Sequence, residues 1–398
     1  MSAIKLNSNV YSVGVLNPSL RVFDIVMESR YGTSYNAFLI TGQKNVLIDT
    51  VHVSFFEEYL QNVQSVVDIS KIDCLIMNHT EPDHSGSVAK LLDVNPNITV
   101  YCTTAAKMYL SAITNEDFKC VVVKQGDKLS LGGEELEFLV APLLHWPDSM
   151  FTWMPSSGTL FTCDFLGAHF CEPSMLDTNI HYPDKYQGEF RYYYEGIFSP
   201  FKPYVLAGLD KIKDLPVELI CTSHGPCLTE SIQECLKLYR EWSQPVRHEK
   251  KIVGILYASA YGCTSKLAKA AYDALSAKEN LDVRMMDIVF APFTEVAALA
   301  NEADALLVGS CTINRDAPKI VWDTLASVDA INTRQKPAGA FGSFGWSGEA
   351  VPMIKSRLEH LKYKFIGDGL KVNFMPTDAD LAAMTSYADE VASAMKSE

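Results

Sequence analysis

The sequence predicts two domains of mixed helix and strand, of which the second is a doubly wound parallel sheet. Its 398 residues exceed what a single hydrophobic core usually supports. Short apolar runs typical of strands dominate the first part, whereas strands, loops and helices alternate regularly after Lys251. A proline and a run of charges interrupt the pattern between Trp242 and Lys251. We therefore expect domains at residues 1–248 and 249–398.

The first domain is expected to consist of layers of sheet covered by helices. Seven runs predict its early strands: Val22–Val26, Tyr35–Ile40, Val46–Asp49, Cys74–Met77, Thr99–Cys102, Val121–Val123 and Leu136–Ala141. Helices are predicted between them at Phe55–Val63 and Ala105–Ile113, and a later strand at Thr159–Cys163.

The second domain is expected to contain five parallel strands. They are Ile252–Ala258, Val283–Ile288, Ala305–Gly309, Pro337–Phe341 and Leu370–Phe374. Five strands separated by helices in about 150 residues match a doubly wound architecture. The last helix is expected to open at Thr377, with Asp380 completing a capping box, and to run to about Met395.

Composition excludes several classes of protein. The formal net charge of -14 repels polyanions, so nucleic acid is not an expected partner. No apolar stretch approaches the roughly 18 residues of a membrane span, and the first residues carry no leader pattern, so we expect a cytoplasmic protein. The 10 cysteines include no C-x-x-C pair, which predicts free thiols and no rubredoxin module in this chain.

Potential metal ligands cluster after the strand that ends near Met77. His79, Glu81, Asp83 and His84 lie within six residues, where a loop can direct side chains at one point. Histidines and an acid recur at later strand ends: His145, Asp164 and His224. Each of these later residues alone is most often an ordinary polar group, but the early cluster is not. Four imidazoles and three carboxylates together predict a site for a pair of metals.

Three loops of the second domain follow strand ends, where doubly wound sheets bind ligands. The first has small and hydroxyl residues before a helix, which suits a monophosphate better than a dinucleotide. The other two offer backbone, hydroxyl and aromatic groups for a ring. The candidate residues are Ser259, Tyr261, Gly262, Cys263, Thr264, Ser310, Thr312, Ile313, Asn314, Ser343, Phe344, Gly345, Trp346 and Gly348.

The metal motif resembles the zinc signature of the metallo-β-lactamase fold, except that Glu81 replaces the second histidine. A hard carboxylate in that place favours redox-active iron over zinc. The pattern H-x-E-x-D-H, followed by H-W-P-D-S-M and S-H-G-P, is similar to that of flavodiiron proteins, also called A-type flavoproteins. The three loops after Lys251 resemble those of flavodoxin, although Thr312–Arg315 departs from the Asn-Asn-Gly ending of the family.

This resemblance implies an αββα sandwich carrying two non-haem irons and a flavodoxin-like domain carrying FMN. It implies that one iron takes His79, Glu81 and His145, that the other takes Asp83, His84 and His224, and that Asp164 bridges them. It also implies Tyr194 as a proton donor. The expected activity is reduction of dioxygen to water or of nitric oxide to nitrous oxide, since the ligands are the same for both gases.

The resemblance also implies partners. The protein is expected to form a head-to-tail homodimer or a dimer of such dimers, because two domains of this size are expected to hold FMN and iron of one chain too far apart for fast electron transfer. An external donor such as rubredoxin, a flavin reductase or a reduced deazaflavin supplies the electrons. Two alternatives remain: a zinc-dependent hydrolase fused to a flavodoxin domain, against which Glu81 argues, and a non-catalytic electron-transfer or gas-sensing flavoprotein.

Overall fold

A computed structural model of the protein describes residues 3–246 and 248–395. The chain forms two compact units, Met1–Pro245 and Val246–Glu398, whereas the sequence placed the boundary after residue 248. Within the described residues, no helix is long and apolar enough to cross a membrane.

The first unit is built on two sheets that pack face to face. The larger sheet contains, in spatial order, Ile4–Lys5, Val10–Ser12, Phe38–Ile40, Asn45–Ile48, Ile72–Ile76, Thr99–Cys102 and Cys120–Val122. The smaller contains Lys128–Ser130, Glu135–Val140, Met150–Met154, Thr159–Cys163 and Leu219–Thr222. Between the sheets the rings of Phe38 and Phe161 lie 5.5 Å apart, centroid to centroid. Side chains of successive strand residues point to opposite faces, so each sheet also has an outer apolar face that requires cover.

Helices provide that cover and complete the αββα sandwich expected for this unit. The α-helices are Phe56–Gln64, Pro82–Ser85, Val88–Val94, Thr104–Thr114, Pro183–Tyr193, Lys202–Ile212 and Ile232–Ser243. A π-helical turn, Tyr194–Phe198, extends the fifth of them. Short 3-10 turns occur at Val53–Phe55, Ile69–Lys71, Pro155–Ser157, Asp177–Asn179 and Ser199–Phe201. Two small ladders pair Val15–Asn17 with Thr33–Tyr35 and Val22–Phe23 with Met27–Glu28.

Two predicted strands of this unit are wrong. The run at 22–26 is a tight hairpin, because Asp24 and Ile25 adopt left-handed conformations with φ of 45° and 64°. The run at 35–40 is broken by Asn36, whose side-chain amide donates to the backbone carbonyls of Thr222 and Gly225, both at 2.8 Å. The apolar pattern reveals neither turn. The first depends on local backbone geometry, and the second depends on partners of Asn36 that are distant in sequence.

The second unit confirms the doubly wound parallel sheet. Its strands are, in spatial order, Leu281–Asp287, Lys251–Ala258, Ala305–Cys311 and Pro337–Phe344, followed by Lys364–Phe365 and Leu370–Asn373. The last two segments both pair with the fourth strand, so they form one interrupted fifth strand. Gly367 and Gly369, with φ of 63° and 81°, allow the interruption.

Helices cover both faces of this sheet, at Cys263–Ser276, Phe293–Glu302, Lys319–Ala326, Ala350–His360 and Asp378–Ser393. The predicted capping box of the last helix is confirmed, because Thr377 and Asp380 each bond the other's backbone N–H. The helix ends at Ser393, two residues before the predicted Met395. The candidate loops follow the strands Lys251–Ala258, Ala305–Cys311 and Pro337–Phe344. They lie at one end of the sheet, where a parallel sheet exposes its carboxyl edge.

Candidate functional site

Four of the candidate metal ligands follow a central strand of the larger sheet. That strand, Ile72–Ile76, lies between two parallel neighbours. The chain then passes His79 and enters a one-turn helix whose N-cap is Glu81 and whose first residue is Pro82, a position where proline is favoured. The turn directs Asp83 and His84 toward the same point as His79.

The other three candidate ligands come from the smaller sheet. Asp164 directly follows the strand Thr159–Cys163, and His224 follows Leu219–Thr222. These two strands are parallel neighbours, so their carboxyl ends meet at one edge. His145 lies in the loop between Glu135–Val140 and Met150–Met154. The structure therefore brings all seven side chains together, and all are buried except His145, which is partly exposed.

The seven side chains form two groups. In one, the Nε2 atoms of His79 and His145 lie 3.3 and 3.0 Å from Oε2 of Glu81. In the other, the Nε2 atoms of His84 and His224 lie 3.4 and 3.0 Å from the carboxylate oxygens of Asp83. Within each group the ligand atoms lie within 4.8 Å of one another.

Asp164 lies between the two groups and presents one oxygen to each. Its Oδ2 atom is 3.5 Å from Nε2 of both His79 and His145. Its Oδ1 atom is 3.0 Å from Nε2 of His84 and 3.4 Å from Nε2 of His224. A carboxylate placed in this way would be within reach of a metal in either group.

The donor set fits a pair of hard cations. Both oxygens of Asp83 and the Oδ2 atom of Asp164 are buried and accept no well-aligned hydrogen bond from the described residues. Three buried carboxylates in so small a volume require positive charge, because uncompensated burial of a charge is costly. Imidazole and carboxylate are ligands that iron accepts. Cations among these groups would satisfy both the orphaned oxygens and the charge.

Outer contacts orient two of the imidazoles. The Nδ1 atom of His79 lies 3.2 Å from Oδ1 of Asp148, whose Oδ2 atom accepts hydrogen bonds from the backbone and hydroxyl of Thr80 at 2.8 and 2.7 Å. The Nδ1 atom of His224 donates to the carbonyl of Ser34 at 2.7 Å. Both contacts leave Nε2 as the free lone pair that faces the centre. Sequence analysis missed Asp148, although it is the acid of the H-W-P-D segment.

Strong mutual electrostatics mark the centre. Burial alone would lower the pKa of His79, but the carboxylates of Asp148, Glu81 and Asp164 outweigh it and raise that pKa well above the ordinary value. Burial also lowers the pKa of His84, but Asp83 and Asp164 outweigh burial and raise that pKa to about 9. The same histidines outweigh burial and hold the pKa of Asp164 well below its usual range. Cations bound among these groups would displace the histidine protons.

A further carboxyl group, that of Asp24, faces the centre from the hairpin that the sequence misassigned. Although Asp24 as a whole is exposed, burial of its carboxyl group and then the neighbouring Glu81 raise its pKa to about 7. Next to it, Ile25 projects into solvent with 94% of its surface exposed. Sequence analysis missed Asp24, because its distance from the metal motif gave no signal.

The structure does not bring Tyr194 to the centre. Its hydroxyl lies 2.8 Å from Oγ of Ser243, and its ring packs on Tyr239 and Trp242. Tyr193 faces the centre instead.

The ring of Tyr193 lies 4.9 Å from that of His169 and 6.1 Å from that of His224. His169 itself lies against His224, with 4.7 Å between ring centroids, and its Nδ1 atom is 2.9 Å from Oγ1 of Thr33. His169 therefore buttresses a candidate ligand.

The candidate phosphate loop of the second unit runs from Ser259 into the helix Cys263–Ser276. Gly262 caps that helix with φ of 79°, a conformation that favours glycine. Ser259 Oγ accepts a hydrogen bond from the backbone of Ser265 at 3.2 Å. The buried hydroxyls of Thr264 and Ser343 lie 2.8 Å apart and so link this loop to the loop after the fourth strand.

An open cleft of about 270 Å³ adjoins the loop. Nine predicted residues line it: Tyr261, Cys263, Thr312, Ile313, Asn314, Ser343, Phe344, Gly345 and Trp346. Ser310 does not, because its hydroxyl donates to the carbonyl of Cys311. Gly348 lies against the ring of Phe344, where a β-carbon would approach within 2.9 Å.

The cleft also has lining residues that the sequence analysis missed: Ala260, Cys311, Arg315, Ser347 and Phe374. Phe374 follows the interrupted fifth strand, and its position at a strand end was a usable signal. Arg315 instead reflects a turn in which Asn314 and Arg315 both have positive φ, at 52° and 63°. That turn aims its side chains in a way that residue order alone does not reveal.

Two family descriptions match the chain in series. The family described as ODP family beta lactamase matches residues 33–225. The flavodoxin family matches residues 255–385. The two matched segments correspond to the two compact units and include all the candidate ligands and loops.

Relatives are similar over nearly the whole chain. A flavo-diiron protein, FprA2, of Clostridium acetobutylicum is 49% identical over 98% of this chain and 99% of its own length. A type A flavoprotein of Rhodobacter capsulatus is 34% identical over 96% of this chain and 89% of its own. Among solved structures, rubredoxin oxygen:oxidoreductase from Desulfovibrio gigas has a TM-score of 0.69 and 28% identity, with 99% of this chain and 98% of that chain covered.

Proposed function

This chain belongs to the flavodiiron proteins, and on that premise we propose that it reduces dioxygen to water or nitric oxide to nitrous oxide. The observation that carries the proposal is the position of Asp164, with one oxygen toward each of two histidine and carboxylate groups. A flavodoxin-like unit in the same chain supplies the place for FMN. A metallohydrolase has no use for that unit.

We assign the metal ligands by group. His79, Glu81 and His145 would hold one iron, and Asp83, His84 and His224 the other, with Asp164 shared. The grouping of ligand atoms within 4.8 Å supports this assignment. Asp148 and Ser34 are the outer partners that orient His79 and His224.

When bound, FMN would store two electrons and the pair of irons another two. These four electrons match the number that converts dioxygen to two waters, and they exceed the two that reduce two molecules of nitric oxide. The protein's own contribution is positioning and charge. The buried carboxylates would balance the charge of the cations. Burial and Glu81 raise the pKa of the Asp24 carboxyl group, which places a proton-exchanging side chain beside Glu81.

We assign the tyrosine role to Tyr193 rather than Tyr194. Burial raises the pKa of Tyr193 well above 10, so that its hydroxyl keeps its proton at neutral pH. Its ring packs on His169 and lies near the ligand His224. The hydroxyl of Tyr194, in contrast, is engaged with Ser243.

For FMN we propose that the phosphate is held by the loop of Ser259, Tyr261, Gly262, Cys263 and Thr264. The helix that follows offers its N-terminal backbone N–H groups and dipole to an anion. The ring would lie in the cleft against Phe344 and Trp346. Gly345 there leaves room for the ring of Phe374, and Thr312, Ile313 and Asn314 also line the cleft.

We further propose a head-to-tail homodimer, or a dimer of such dimers, in the cytoplasm. Exposed apolar side chains lie beside the metal group at Ile25 and Val26, and beside the flavin cleft at Tyr261 and Trp346. Pairing one patch with the other would cover both and bring the FMN of one chain to the metals of its partner. The free state of all cysteines in the structure supports a reducing compartment.

The electron donor is proposed to be a separate protein or a reduced flavin. Rubredoxin is the first candidate, because the Desulfovibrio gigas structural relative is named for it. A flavin reductase and a reduced deazaflavin are the others.

The proposed homodimer is tested by light scattering, which should give the mass of two chains or a multiple of it. A monomer isolated by dilution should reoxidise its FMN more slowly than the dimer.

The function is tested by reducing the holoprotein without oxygen and mixing it with each gas in a stopped-flow instrument. FMN should reoxidise rapidly with at least one gas, and the product should be water or nitrous oxide rather than peroxide. The matched control is Asp164→Ala, which should keep FMN but reoxidise slowly. A wild-type protein that behaved like this variant with both gases would exclude the proposal.

A further inference from the structure

A pair of cysteines lies in contact at the edge of the larger sheet of the first unit. The Sγ atoms of Cys102 and Cys120 are 3.6 Å apart. The two residues belong to neighbouring parallel strands in which Val100 is the partner of Cys120, so the cysteines are offset by two positions. Residues two apart on a strand share a face, which explains why the two thiols meet.

We propose that Cys102 and Cys120 form an oxidation site, at which a peroxide converts the two thiols into a disulfide within one chain. The proposal is independent of the gas chemistry, because any source of hydrogen peroxide suffices. A disulfide requires a sulfur separation of about 2.05 Å, so the two sulfurs must approach by roughly 1.5 Å. The question is therefore which residue can move.

Cys102 is anchored. The backbone of Val123 donates to its carbonyl at 3.0 Å. The next residue, Thr103, caps the helix Thr104–Thr114, and its hydroxyl donates to the carbonyl of Asp148 at 3.0 Å. Movement of Cys102 would disturb that cap.

Cys120 has more freedom. It opens a three-residue strand, Cys120–Val122, that is the last of its sheet and therefore has a strand neighbour on one side only. The residues before it, from Asn115 to Lys119, are exposed except Phe118, which packs on the core. The approach of the sulfurs is therefore expected to come from the Cys120 side.

The environment gives the two thiols different roles. The hydrogen bond from Cys102 lowers the pKa of the Cys120 thiol, against a smaller effect of burial, and the ammonium group of Lys107 acts in the same direction. A thiolate is the form that attacks peroxide. Cys120 is also partly exposed, whereas Cys102 is buried. Cys120 is thus the attacking thiol and Cys102 the resolving one.

The reaction balances with hydrogen peroxide as the only co-reactant. The Cys120 sulfur attacks one peroxide oxygen, the O–O bond breaks, and water leaves after protonation, so that Cys120 becomes a sulfenic acid. The Cys102 sulfur then attacks the Cys120 sulfur. The S–S bond forms, the S–O bond breaks, and the hydroxyl leaves as a second water with the Cys102 proton. Two thiols lose two electrons, and peroxide gains them.

The chain contains a natural control pair. Cys221 and Cys227 also interact, but both are fully buried, and burial raises the pKa of Cys221 well above the ordinary value. Cys171, partly exposed in the same unit, has a pKa raised to about 11, first by burial and then by Glu172. Cys221 and Cys227 therefore have a neighbouring thiol without exposure, and Cys171 has exposure without a lowered pKa. Cys120 combines a neighbouring thiol with partial exposure.

The test uses oxidised holoprotein treated with about one equivalent of hydrogen peroxide, quenched with an alkylating reagent and digested for mass spectrometry. The expected product is a peptide pair linked through Cys102 and Cys120, lighter by two hydrogens and restored by dithiothreitol. Cys221, Cys227 and Cys171 should remain alkylated as thiols. Earlier oxidation of any of these, or a link between chains, would overturn the proposal.

Single variants separate the two roles. Cys102→Ser should trap Cys120 as a sulfenic acid that dimedone labels, and Cys120→Ser should leave Cys102 unreacted because it is buried. Cys171→Ser, the matched control, should form the disulfide at the wild-type rate. FMN and iron content report whether each variant is folded. If Cys102→Ser is not, the Cys120→Ser protein alone decides: oxidation of its Cys102 would contradict the proposal.

Discussion

The two candidate cofactor sites are built in opposite ways. The candidate metal centre consists of seven charged or imidazole side chains, six of them buried, whose identities define the site. The flavin cleft is open, and two of its lining residues, Tyr261 and Trp346, expose 92% and 84% of their surface. Side-chain chemistry therefore specifies the first site, whereas backbone geometry and shape specify most of the second.

This difference suits the two tasks. A diatomic gas needs no large opening, so the metal centre can be enclosed, and enclosure strengthens the interaction of each charge with its neighbours. FMN has to exchange electrons with a partner, so its ring must remain near the surface. Substitutions should consequently have large effects in the first region and small ones in the second.

The largest effect is expected from Glu81→His, which exchanges a hard anionic ligand for an imidazole and leaves the centre one unit more positive. Iron content at that position and gas consumption should both fall, the latter by more than about 100-fold, beyond the cost typical of an outer partner. FMN should stay bound. Glu57→His, on an exposed helix surface, is the control, and a Glu81→His protein with near-native turnover would remove Glu81 from the ligand set.

A smaller loss is expected from Asp148→Ala, which removes the acceptor that orients His79 without touching the centre itself. Outer partners of this kind contribute about 10- to 100-fold in metal affinity. Iron retention against a chelator, measured with FMN content, should show a loss in that range with the flavin unaffected. Unchanged retention would mean that burial alone fixes the imidazole of His79.

Tyr193→Phe should lower the rate of gas reduction by at most about tenfold, below the ~100-fold of a dedicated general acid, because the Asp24 carboxyl also faces the centre. Tyr194→Phe should leave the rate unchanged, since its hydroxyl contacts Ser243. Single-turnover reoxidation of the reduced protein measures both. If Tyr194→Phe slowed the reaction more than Tyr193→Phe, Tyr194 would be the proton donor.

The smallest effect is expected from Thr264→Val in the flavin region. It removes one hydroxyl pair with Ser343, worth about 1 kcal/mol, so FMN affinity should fall roughly fivefold while iron content is unchanged. Fluorescence titration of the flavin-free protein with FMN measures this. Thr324→Val, whose hydroxyl only bonds within its own helix, is the control. Loss of iron in Thr264→Val would contradict the independence of the two regions.

The same contrast explains what the sequence could predict. The metal group was predictable because histidine and carboxylate residues at strand ends carry their chemistry in their identity. Asp24 was not, because it reaches Glu81 through a hairpin with two left-handed residues that an apolar run conceals. Tyr193 and Tyr194 could not be distinguished, since neighbouring helix residues point in different directions and only the fold fixes which faces the site.

In the flavin region, the five parallel strands and the position of the candidate phosphate loop followed from the alternation of elements. The lining by Phe374 and Arg315 did not, because an interrupted strand and a turn with positive φ aim those side chains. Ser310 illustrates the converse, since its hydroxyl lies in the right loop but donates to the backbone carbonyl of Cys311. Where backbone geometry determines a contact, residue identity predicts it poorly.

The central claim is that one chain holds two irons in the first unit and one FMN in the second. Metal content by mass spectrometry and flavin content by absorbance, measured on the same protein from iron-replete cells, test it most directly. The account predicts about two irons and one FMN per chain. The Asp164→Ala variant should lose both irons and keep its FMN. Two zincs per chain without iron would contradict it.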